Sequence, residues 1–114
     1  HPLFASLDDH PAARRAVRRM IADYSGWHWA APGRVAKIAA PPPLDAVRVP
    51  TLVLSGGRDV TGYRQLAANL ADGIPGARLV HLPDAGHMMN LECPEDFDRH
   101  LRSFAGTCLE EGKG

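Results

Sequence analysis

Between residues 49 and 106 two short apolar runs alternate with two amphipathic stretches, and this order constrains the fold more than any other feature of the chain. Val49-Pro50 leads into Thr51-Leu52-Val53-Leu54-Ser55, which Gly56-Gly57 ends; the run reads as a buried strand. Thr61 to Ala71 places Tyr63, Leu66, Ala67 and Leu70 on one helical face, with Gly73 and Pro75-Gly76 as the stop. Ala77 to Leu82 is a second strand of the same kind, followed by the loop Pro83-Asp84-Ala85-Gly86. Pro94 opens a last helix with Phe97, Leu101 and Phe104 on its inward face. Strand, helix, strand, helix implies an α/β fold with parallel strands and crossover helices. Strands this apolar expect cover on both faces and neighbours at their edges, so a two-stranded sheet is an incomplete fold on its own.

Upstream, residues 9 to 24 read as a helix with Asp9 as N-cap and Pro11 in the first turn. Ala13, Val17, Met20, Ile21 and Tyr24 recur at helical spacing, while Arg14, Arg15, Arg18 and Arg19 occupy the other face. That basic stripe reads as a solvated face rather than an anion site. Ser25-Gly26 ends the helix, Trp27 to Ala40 reads as a shorter second one, and Pro41-Pro42-Pro43 as a stiff extended connector. Residues 107–114 read as a polar, flexible tail.

With 114 residues the chain has room for one small core, and its 13 basic and 13 acidic residues give a net charge of zero. Neither nucleic acid nor an anionic membrane is expected as a partner. No apolar run approaches the ~20 residues of a membrane-spanning helix, and no signal peptide is recognised, so a cytoplasmic location is expected. Cys93 and Cys108 match no metal or redox spacing, and two free thiols are the simplest reading. The first residue is His1 rather than Met, which suggests a processed or truncated chain.

Asp59 stands just past the end of the first strand, where parallel sheets gather their active sites, and His87 stands in the loop after the next strand. One helix, one strand and two loops separate them, which brings both to one rim of the sheet. A carboxylate there fixes the tautomer of the imidazole and stabilises the imidazolium formed during proton transfer. The histidine then serves as general base and later as general acid. Taken singly, an Asp after Gly-Gly-Arg is an ordinary turn or cap residue, and a loop histidine an ordinary surface group. Asp84 reads as a turn residue in the histidine's own loop, and His81 as structural or exposed.

Together these segments resemble the α/β-hydrolase superfamily. Val49 to Asp59 (VPTLVLSGGRD) is similar to its strand-and-acid segment. Ile74 to Val80 (IPGARLV) and Leu82 to Met88 (LPDAGHM) are similar to its final strand and histidine loop, and Asn90 to Phe97 (NLECPEDF) to the opening of its last helix. Met-x-Asn-Leu-Glu and Asp-Tyr-Ser-Gly-Trp resemble the enol-lactonase-like esterases and lactonases. The resemblance implies that residues 44–106 form the last two βα units of the parallel sheet, and residues 1–43 the end of a helical cap. Asp59 and His87 would be the acid and base of a catalytic triad. Trp27, His28 and Trp29 would lie near the roof of a substrate pocket, with Met88 beside His87 as a further contact; packing of cap against core is the plainer role for both tryptophans. No metal and no organic cofactor is implied.

The nucleophile of that fold stands in a Gly-x-Ser-x-Gly turn ahead of the acid and the histidine. Ser6, Ser25, Ser55 and Ser103 all lack that spacing of glycines, and Cys93 follows the histidine. The function that the resemblance implies is hydrolysis of a small-molecule carboxylic ester or lactone by Ser-His-Asp acyl transfer. An N-terminal half of the fold, from the same precursor or a companion chain, would supply the serine and the oxyanion hole, and these residues alone would be inactive. The same pair also fits C–C bond hydrolysis, dehalogenation, cofactor-free haloperoxidation, a lyase reaction, or a non-catalytic ligand-binding or scaffold domain.

Overall fold

The computed structural model describes residues 1–27, 40 and 42–111. The chain opens on a 3-10 helix, Pro2–Asp9, which the apolar spacing upstream of residue 9 did not announce. His10 then separates it from α1 (Pro11–Asp23), whose proline sits in the first turn as expected. Asp9 is not the cap: His10 takes that position without a side-chain cap bond, and the Asp9 carboxylate accepts from Arg58. Leu7, Ala13 and Val17 bury one face of this pair of helices against Met88 and Leu91 of the histidine-loop region. The four arginines of α1 are exposed, as a solvated stripe requires. Of the helix read over Trp27 to Ala40, all but its two end residues lies outside the described residues. Pro43 is extended, with φ −60° and ψ 146°.

Strand β1 (Leu52–Gly56) and strand β2 (Arg78–Leu82) pair in parallel, with Leu52 opposite Arg78 and Gly56 opposite Leu82. The crossover between them is α2 (Thr61–Gly73), which buries Ala67 and is followed by the buried Ile74. Burying Ile74 and Leu82 contributes about 2 kcal/mol each. After β2 the chain turns through Pro83–Met88 into one helical turn, α3 (Met89–Glu92), and then α4 (Pro94–Glu111). Helix α4 thus runs past residue 107, where a flexible tail was expected; Thr107 stays helical with its hydroxyl donating to the Ser103 carbonyl at 3.1 Å.

No large side chain among the described residues is completely enclosed, and Leu66 on α2, Leu79 on β2 and Leu101 on α4 are about half exposed. Parallel strands normally have both faces covered. The described sheet has two strands, and its exposed leucines are consistent with a portion of a larger α/β fold.

Candidate active site at the strand ends

The two strands stop level with each other, and their C-terminal loops are stitched together through backbone. Gly57 N–H donates to the Leu82 carbonyl at 2.8 Å, and Arg58 N–H to the Ala85 carbonyl at 2.9 Å. The approach demands glycine: a Cβ on Gly56 would stand 2.4 Å from the Gly86 carbonyl oxygen and 2.6 Å from that of Ala85. The stitching sets Asp59 facing His87. The Asp59 side chain is only 6% exposed; Oδ1 accepts the Val60 N–H at 2.7 Å, and Oδ2 lies 3.0 Å from His87 Nδ1. With the carboxylate ionised, Nδ1–H is the donor and the lone pair is left on Nε2. The Tyr63 ring leans against the imidazole, with centroids 4.5 Å apart at 51°. His87 is 31% exposed, so the ring is held on one side and open on another.

Glu92 is a participant that the sequence reading passed over. Its side chain reaches back under the histidine loop, Oε2 accepting from Gly86 N–H at 2.5 Å and Oε1 from Met88 N–H at 3.0 Å. The residue is 6% exposed, which is rare for a carboxylate unless its charge is met by donors. Only its place four residues after Met88, with a proline two further on, could have hinted at a link to the helix start. Next to it, burial pushes the Cys93 thiol up from its ordinary pKa, and Asp84, Asp96 and Glu92 push the same way. Such a thiol is a poor nucleophile.

An apolar cavity of about 390 Å³ opens beside the imidazole, lined by Leu3, Phe4, Val17, Met20, Ile21, Tyr24, His87 and Met88. Met88 is one of these lining residues, next to His87. Trp27 is 66% exposed and is not among the lining residues, and Trp29 lies outside the described residues. Ser6 is buried on the 3-10 helix and Ser55 within β1, neither on a strand-to-helix turn. Among the described residues no cluster of His, Cys, Asp and Glu could hold a metal ion, and no helix is long and apolar enough to cross a membrane. The N-terminal helices are tied to the site by Arg58, which pairs with Asp9; the guanidinium holds the Asp9 carboxyl below its ordinary pKa.

The chain is 36% identical over 64 residues, 56% of its length, to "Putative carbamate hydrolase RutD" of Pseudomonas syringae pv. syringae (strain B728a). It is 36% identical over 61 residues, 54% of its length, to the protein of that name from Pseudomonas savastanoi pv. phaseolicola (strain 1448A / Race 6). These alignments span 25% and 24% of the relatives, so the chain matches about a quarter of their length. No solved structure matches it. Residues 1–99 match the alpha/beta hydrolase family, and with its parallel strands and their joined loops the chain belongs to that family.

Proposed function

We propose that Asp59 and His87 are the acid and the base of a hydrolase acting on a small carboxylic ester or lactone. The observation that carries this reading is the 3.0 Å contact between a buried carboxylate and a half-open imidazole at the rim of a parallel sheet. In this reading a serine hydroxyl from the N-terminal part of the fold gives its proton to His87 Nε2 as its oxygen attacks the acyl carbon. Asp59 stabilises the resulting imidazolium. His87 then protonates the leaving alkoxide, and water, deprotonated by the same nitrogen, releases the acid from the acyl-enzyme. The serine and the oxyanion donors belong to that N-terminal part, which is the partner this chain requires. No metal or organic cofactor enters the route. The separate thiols of Cys93 and Cys108 fit a reducing, cytoplasmic setting.

A carbamate, the substrate class in the relatives' printed name, is the second reading. Its reaction is also acyl transfer, so the pair itself does not separate the two. The apolar wall beside His87 supports an apolar group on the substrate, and an alkyl or aryl ester supplies one.

The test is the full-length protein that contains these residues, assayed on p-nitrophenyl acetate, p-nitrophenyl hexanoate and a p-nitrophenyl carbamate, beside its His87→Ala variant. Hydrolysis that vanishes in the variant and is fastest on hexanoate is expected. Equal turnover by the variant would end the proposal, and preference for the carbamate would replace the substrate.

A further inference from the structure

We propose that Glu92 is a positioning residue for His87, acting through the backbone on either side of it. This inference rests on the reading of His87 as the base. The two oxygens of one carboxylate accept from Gly86 N–H and Met88 N–H, the donors immediately before and after the histidine. At its strand end the loop between β2 and α3 is held by the Gly57 and Arg58 bonds and by a turn bond from Ala85 N–H to the Leu82 carbonyl at 3.3 Å. Glu92 supplies the second anchorage, from α3, and so fixes the Cα of His87 from both neighbours.

The grip is closed from the other side. A Cβ on Gly86 would stand 1.9 Å from Ser6 Oγ and 2.9 Å from Glu92 Oε2, so the loop lies wedged between the 3-10 helix and the carboxylate. A mere helix cap needs one oxygen on one donor. Here the second oxygen is spent on Gly86, outside α3, and the whole carboxylate is taken out of water to do it. Hydrogen bonds to an ionised, buried acceptor are the strong and directional kind. Glutamine matches the shape but not the function: its amide nitrogen would face an N–H, donor against donor. Aspartate keeps the charge but is one methylene too short to reach both amides.

The experiment compares the full-length protein with Glu92→Gln and Glu92→Asp in three measurements. These are kcat and KM on p-nitrophenyl hexanoate, the low-field proton resonance of the His87 Nδ1–H held by Asp59, and hydrogen exchange at the Gly86 and Met88 amides. Expected for Glu92→Gln is a fall in kcat of about tenfold to a hundredfold with KM within about threefold, since a displacement near 1 Å at the reacting group is enough for that loss. The Nδ1–H signal should broaden and both amides exchange faster, with Glu92→Asp lying between. Retention of kcat and of the Nδ1–H signal in a folded Glu92→Gln whose two amides exchange freely would overturn the proposal. If Glu92→Gln does not fold, the same two outcomes are read from Glu92→Asp. Should His87→Ala leave turnover intact, the hydrolase reading fails by itself, while the resonance and exchange measurements still decide whether Glu92 holds the ring.

Discussion

Gly56 and Gly86 meet backbone to backbone, so closely that a Cβ on the first would stand 2.4 Å from the carbonyl oxygen of the second. This contact holds the acid loop and the histidine loop at one height. Gly56→Ala must therefore push them apart. The expected cost is about 1–3 kcal/mol, as for other overpacked sites, read as a lower midpoint in urea. Activity of the full-length protein should fall with it. An alanine variant of native stability would mean that the loops slide freely.

Asp59→Asn removes the charge but keeps the shape at 3.0 Å from His87 Nδ1. The amide can present its NH₂ to the ring and stabilise the wrong tautomer. Turnover by the full-length protein should fall by a factor on the order of 10⁴ with little change in KM. A loss below about tenfold would show that the carboxylate does not orient the imidazole.

The pairing of Asp9 with Arg58 predicts a pH dependence of definite sign. The hydrogen bond and the charge of Arg58 lower the Asp9 pKa, so the folded state binds its proton less readily than the unfolded one. The stabilisation is present above the unfolded value, about pH 4, and is lost as the pH falls through the lower folded value. Arg58 stays charged throughout. Both groups are at the surface, so the effect is small and screened by salt. Asp9→Asn should therefore lower the urea midpoint slightly near neutral pH in dilute buffer, and match the native protein in acid or in high salt. A difference that grew on acidification would contradict the pairing.

Cys93 should resist alkylation. Burial raises its pKa, so little thiolate exists near neutral pH. Labelling with iodoacetamide, followed by mass spectrometry, should show Cys93 reacting slowly and accelerating only well into the alkaline range. Rapid labelling at neutral pH would show that burial does not keep this thiol protonated.

The strands, α2 and the positions of Asp59 and His87 were legible because each is written locally. Apolar runs end in glycine, a periodic helix lies between them, and the acid and histidine fall in the following loops. The 28 positions that separate Asp59 from His87 shrink to a hydrogen bond for that reason. Glu92 was not legible, since its partners are amide groups, which every residue except proline carries and no side-chain pattern marks. The neighbours of Asp9 make it look like a cap, whereas its partner Arg58 is 49 positions away. The end of α4 is hidden by composition: polar residues with two glycines suggest a tail over 107–114, yet Thr107, Cys108 and Leu109 continue the helix without a proline to stop it.

Glu92 grips main chain only. That grip does not depend on which side chains stand at 87 and 88, although Met88 also packs against Leu7, Ala13 and Val17 and so has to stay apolar. If His87 is the base, an apolar exchange at position 88 reshapes the wall beside the imidazole while both amides that flank the histidine keep their acceptor.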